Sequence, residues 1–142
     1  MAKRNYQEMK LQFVVVKWLR TVLPRDAVFW HVPNGGEMTE DQRMTKYNLG
    51  EMPGVSDLMI QWGGKLHCIE LKVRASEIYG VKTTTYQTAA QKDFQSAIEA
   101  AGGMYAVCRH TDDVRDALAL WGVPTRESKR ALSGSSVRGM AG

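Results

Sequence analysis

The stretch PGVSDLMIQWGGKLHCIELKV, Pro53 to Val73, constrains the fold of this chain more than any other. It reads as two short apolar strands joined by Gly63-Gly64, a dipeptide suited to a tight hairpin. Strand side chains alternate faces with a period of two. Cys68, Glu70 and Lys72 therefore share one face, and Ile69, Leu71 and Val73 the other. In the first strand Leu58 and Ile60 take the buried face, leaving Asp57 with Met59 and Gln61. Pairing through the Gly-Gly turn brings Asp57 beside Glu70, so that two carboxylates and an ammonium meet at one end of a small sheet. Like charges that close repel, and a bound divalent cation is the ready relief. The bland alternative is a surface ion pair between Glu70 and Lys72, worth under about 1 kcal/mol. Two residues along a strand span roughly 6 to 7 Å, which is long for a tight pair.

The rest of the chain supplies layers for that hairpin. Residues 6 to 23 carry Met9, Phe13 and Val16, then Val15, Leu19, Val22 and Leu23, at helical spacing, and Pro24 stops the helix. Glu8 falls on its polar side, with Gln12 one turn later. Ala27 to Asn34 alternates as a short strand, and the following Gly35-Gly36 turns the chain. His31 on that strand is a candidate general base or a structural group. Residues 37 to 52 are polar, forming a short helix up to Gly50 or a flap, with Arg43 and Lys46 as candidate phosphate contacts. After Val73, Arg74, Lys82 and several threonines suit a loop over the site. A helix starting at Thr84 or Thr88 and reaching Ala101 places Ala90, Phe94, Ala97, Ile98 and Ala101 on the sheet. Beside that stripe runs the row Gln87, Gln91, Gln95, and Thr88-x-x-Gln91 also fits a capping box. Gly102-Gly103 ends the helix, and MYAVCR is a further strand, parallel to the Glu-x-Lys strand by the strand, helix, strand order. Thr111 caps a last helix with Val114, Ala117, Leu118 and Trp121 inward.

A strand Asp, a strand Glu-x-Lys, a Gln-bearing helix and a Gly-Gly strand, in that order, resemble the PD-(D/E)XK nuclease superfamily. The run QKDFQSAIEAAGGMYAVCRHTDDVRDAL is similar to its VRR-NUC branch, over roughly residues 6 to 120. Ser56 stands where the family usually has Pro, and Val107-Cys108-Arg109 stands at the family's namesake tripeptide. The resemblance implies a restriction-endonuclease-like α/β core, a small mixed sheet flanked by helices. It implies Mg²⁺ or Mn²⁺ held by Asp57, Glu70 and the Leu71 backbone carbonyl, with Glu8 joining directly or through water. It implies that Lys72 orients the attacking water or stabilises negative charge, and that Gln91 points at that water or the phosphate. Asn34 would lie in a loop beside the site. Glu8 stays open as a helix-dipole acid, and Gln91 as a cap. Stand-alone members of the family cut branched or four-way DNA as dimers, which implies a DNA endonuclease acting as a homodimer. An RNA-directed nuclease and a non-catalytic nucleic-acid-binding module are the alternatives.

Charge and size fit these expectations without demanding them. The chain has 142 residues and a net charge of +4, compatible with a polyanionic partner. Residues 1–122 read as one nuclease-like domain and 123–142 as a basic tail with little order of its own, carrying four basic residues against one acid. Such a tail would add nonspecific phosphate affinity. No apolar run is long enough for a membrane span. Cys68 and Cys108 read as buried apolar residues of a reducing compartment, and the start of the chain lacks a signal-peptide core, so a cytosolic protein is expected.

Overall fold

The computed structural model describes residues 6–33, 38–73 and 86–127. Asn34, Arg74, Lys82 and most of the basic tail lie outside these residues. Among the described residues the order is α1 (Tyr6–Val22), β1 (Val28–His31), α2 (Glu40–Asn48), β2 (Leu58–Trp62), β3 (Lys65–Leu71), α3 (Ala89–Ala100), β4 (Met104–Cys108) and α4 (Thr111–Leu120). The strands form one mixed sheet in the order β1-β2-β3-β4. β1 and β3 run antiparallel to β2, and β4 runs parallel to β3. The expected hairpin, crossover and α/β class are therefore all present. No helix among the described residues is long and apolar enough to cross a membrane.

The alternation read from the hairpin sorts the core into two layers. Leu58, Ile60, Ile69 and Leu71 pack on one face against Val15 and Leu19 of α1 and Val114 and Leu118 of α4. Met59 and Cys68 point the other way and meet Phe94 of α3 and Tyr105 of β4. The central strands are thus covered on both faces, and little of β2 and β3 but the turn reaches solvent. Each fully buried Leu or Ile contributes on the order of 2 kcal/mol.

Four local expectations need correction. Phe13 is 69 % exposed. The inward stripe of α1 holds the expected Val15, Leu19 and Val22 but continues N-terminally through Gln12 and Glu8, so Glu8 is half-buried rather than on the polar side. α3 is rotated toward its glutamine row. Gln87, Gln91 and Gln95 are part-buried, while Ala97 and Ala101 face solvent. The glutamines win because they find partners: the Gln87 amide donates to Gln95 Oε1 at 2.9 Å and to the Tyr105 hydroxyl at 3.2 Å. α4 is capped by His110, whose Nδ1 accepts from the Asp112 N–H at 3.1 Å, with Thr111 already helical. The folded body also continues past the expected boundary at 123, to at least Glu127. Val123 and Thr125 are buried, and Glu127 accepts from Trp18 Nε1 and Arg115 Nε, both at 3.1 Å.

One glycine fixes how the sheet meets α3. Gly54 has φ +76°, and a Cβ there would lie 2.2 Å from the Ala90 carbonyl oxygen. Only a residue without a side chain lets the approach to β2 pass so near the first turn of α3. This contact sets the helix start beside the end of β3.

Candidate metal centre

The β2–β3 register pairs Leu58 with Ile69. One step further the same register sets Asp57 opposite Glu70, where β2 begins and β3 ends. The Asp57 carboxylate is anchored there: its Oδ2 accepts from the Leu71 backbone N–H at 2.8 Å. Its backbone carbonyl accepts from the Val32 N–H at 3.1 Å and bonds His31 Nδ1 at 2.8 Å. His31 is therefore tied to the main chain of Asp57, the structural of its two expected roles, at the exposed rim of β1.

Glu70 is 2 % exposed, and Lys72 is 6 % exposed. A buried carboxylate needs donors. Gln91 Nε2 donates to Glu70 Oε1 at 2.8 Å, and Lys72 Nζ stands 3.9 Å from the same oxygen, a loose pair. Glu70 Oε2 is buried and has no donor among the described residues. The adjacent Asp57 carboxylate is near enough to share a proton with Glu70, but two ionised carboxylates offer each other acceptors only. Burial first, and then the Asp57 charge, push the Glu70 carboxyl up to about 8 against the opposing pull of Lys72. The shared hydrogen bond with Asp57 and the charge of Glu8 add smaller rises. In an extended strand a residue's N–H and C=O leave on the same side. Leu71 therefore turns both toward Asp57, while the Lys72 N–H bonds the Cys108 carbonyl of β4 at 3.0 Å.

Gln91 fills its capping role and also reaches the cluster, where the group it bonds is the Glu70 carboxylate. Its Oε1 accepts from the Thr88 backbone N–H at 2.8 Å in a complete capping box, and its Nε2 reaches Glu70. The backbone donor on one end fixes which end of the amide faces the carboxylate. The two readings exclude each other only if a glutamine is assumed to have a single partner.

The geometry brings Asp57, Glu70, Lys72, Gln91 and the Leu71 backbone together. It does not gather three acids: among the described residues no group of three or more His, Cys, Asp and Glu side chains is placed to hold a metal ion. Glu8 acts on Glu70 from further off, as the last of its influences. The donor set still fits a hard divalent cation, because such an ion takes oxygen ligands and tolerates a site completed by water and substrate. The unpaired Glu70 oxygen is the observation that fits it best. Arg43, exposed, and Lys46, half-buried, lie on α2, with Lys46 Nζ 3.6 Å from Glu51 Oε2. Sequence reasoning missed Gly54 as the seat of α3, although a glycine three residues before the Asp is a signal of close backbone approach. It missed the tie from Arg109 Nη1 to the Val73 carbonyl at 3.3 Å, which holds the ends of β4 and β3 together. Cys68 and Cys108 are buried free thiols.

No family model matches the sequence, and no curated protein matches it. Among solved structures, one described as a VRR_NUC domain protein superposes with a TM-score of 0.61 at 20 % identity, covering 83 % of this chain and 89 % of that chain. At that identity the likeness is one of fold. This chain has the VRR-NUC fold.

Proposed function

With that fold as frame, we propose that the chain is a metal-dependent nuclease that hydrolyses DNA phosphodiester bonds, with branched or four-way DNA as substrate. The observation that carries this reading is the buried Glu70 carboxylate, with one oxygen satisfied by Gln91 and the other without a donor beside Asp57. Asp57, Glu70 and the Leu71 carbonyl would hold Mg²⁺ or Mn²⁺. When bound, such an ion supplies charge neutralisation on the phosphoryl oxygens and a more acidic water.

The chain's own residues do the remaining work. Asp57 is held beside Glu70 by the Leu71 N–H and is already in place without reorganising. Gln91 keeps the Glu70 carboxylate in one rotamer through a neutral donor. Lys72 is a compact charge on a movable stem, buried beside Glu70. It is suited to orient the attacking water or to meet negative charge developing on the phosphate.

The domain is small and offers little surface for reading base edges, which favours recognition by backbone and shape. Two symmetric cuts in a four-way junction need two sites, and a two-fold homodimer supplies them. The test is nicking of supercoiled plasmid. Wild type should nick with magnesium and stop with chelator, and Asp57→Ala should be inactive. Equal behaviour of wild type and Asp57→Ala would refute the enzyme reading. A panel of duplex, flap, splayed and four-way DNA, with matching RNA, defines the substrate.

A further inference from the structure

α2 buries none of its residues. Between it, the approach to β2, the chain just after β1 and the start of α3 lies an open groove of about 1020 Å³. That is the upper end of the range for pockets that hold organic ligands. Its linings are chemically distinct. Val32, Met52 and Val55 give an apolar floor, and α2 contributes Arg43, Lys46 and the ring of Tyr47. The inner end is Thr88 and Gln91, and Gln91 is the residue that holds Glu70. The groove therefore reaches the side chain that bonds Glu70 in the candidate metal centre.

A purely apolar ligand would leave Arg43 and Lys46 without use. A free inorganic anion would leave the apolar floor and Tyr47 without use. A nucleotide uses every part: a flat base against Tyr47 and Met52, polar edges toward Thr88 and Gln91, and a phosphate within reach of Arg43 and Lys46. The Lys46 pair with Glu51 is half-exposed at 3.6 Å, and an ion pair of that kind is readily exchanged for a phosphate. A base still paired and stacked in a duplex cannot enter such a groove, whereas an unpaired base can swing out of the stack into it.

We infer that the groove between α2 and α3 takes one unpaired nucleotide, placing the neighbouring phosphate at Asp57 and Glu70. The inference rests on the nuclease reading and gives it a physical basis for choosing strands with unpaired nucleotides beside the cut.

The test uses oligonucleotides carrying 2-aminopurine, either fully paired or as a single unpaired base next to the cleavable phosphate. Binding is read in chelator as a change in emission, and cleavage is read in magnesium as kcat/KM. Wild type should change the emission of the unpaired probe severalfold and that of the paired probe little, and should cleave the unpaired substrate faster. Met52→Trp, at a side chain 50 % exposed, fills the groove. It should abolish the emission change and bring cleavage of the unpaired substrate down to that of the paired one. Tyr47→Ala should weaken binding of the unpaired probe about tenfold. Arg43→Ala should lower the slope of log affinity against log salt by about one. If wild type cleaves and neither Met52→Trp nor Tyr47→Ala alters the preference, the groove inference falls and the nuclease reading stands. If wild type cleaves nothing but Met52→Trp still removes the emission change, the nuclease reading falls and the nucleotide site stands.

Discussion

Glu70→Gln tests the electrostatics of the carboxylate pair with almost no change of shape. The amide oxygen keeps the bond from Gln91 Nε2, and the new amide nitrogen donates where Glu70 Oε2 has no donor. In the metal-free protein the Glu70 carboxyl is raised from 4.5 to about 8. At 1.36 kcal/mol per pH unit, holding it ionised in the fold costs on the order of 5 kcal/mol. Because the folded value lies above the unfolded one, the folded state binds the extra proton between them. The contribution of Glu70 to wild-type stability is therefore greatest below about pH 4.5 and falls as pH rises toward 8. Glutamine carries no such charge, so the variant should gain on wild type across this window and reach a constant advantage above it. For a chain of this size that is a rise in Tm of about 15 °C. The assay is thermal and urea unfolding of both proteins in chelator from pH 5 to pH 9. Saturating magnesium should then stabilise wild type, by about 2.7 kcal/mol at a hundredfold excess over Kd, and leave the variant unmoved. A variant less stable than wild type at pH 8 in chelator, or two pH curves that run parallel, would refute the reasoning.

Lys72→Ala should keep magnesium and DNA binding, read by calorimetry and anisotropy, while cleavage falls about 10²- to 10⁴-fold. Lost magnesium binding would show that Lys72 shapes the metal site rather than the chemistry. Gly54→Ala places a Cβ 2.2 Å from the Ala90 carbonyl at φ +76°. It should cost about 2 kcal/mol or more and loosen the start of α3. An unchanged melting temperature would contradict that seat. The Cys108 thiol, pushed up to about 12 by burial and then by Asp113, and Cys68, raised chiefly by burial, should resist a thiol reagent at pH 8 until the protein unfolds. Fast reaction in the native state would show that one of the two layers opens.

The hairpin and its acids were legible because strand geometry is local: alternation and a Gly-Gly turn set the faces, and one register then sets Asp57 against Glu70. The parallel pairing of β3 and β4 followed from element order alone. What was misread depended on partners far along the chain. Phe13 extends the apolar pattern of α1 onto a face the fold leaves exposed, and this hid Glu8 on the half-buried side. Ala97 and Ala101 make an apolar face on α3 as plausible as the glutamine row. The row prevails through Tyr105, which reaches Gln87 only once β4 has paired beside β3. The groove is assembled from segments near 32, 43, 52 and 90, and no single stretch of sequence announces it.

The amide of Gln91 is shared between the first turn of α3 and the carboxylate of Glu70. Any reorientation of that carboxylate on taking up a cation pulls on the very turn that closes the groove. If the chain takes up both an ion and a nucleic-acid strand as proposed, the two report to one another through a single side chain, and linkage requires the favour to be mutual: whichever arrives first changes the affinity for the other by the same factor.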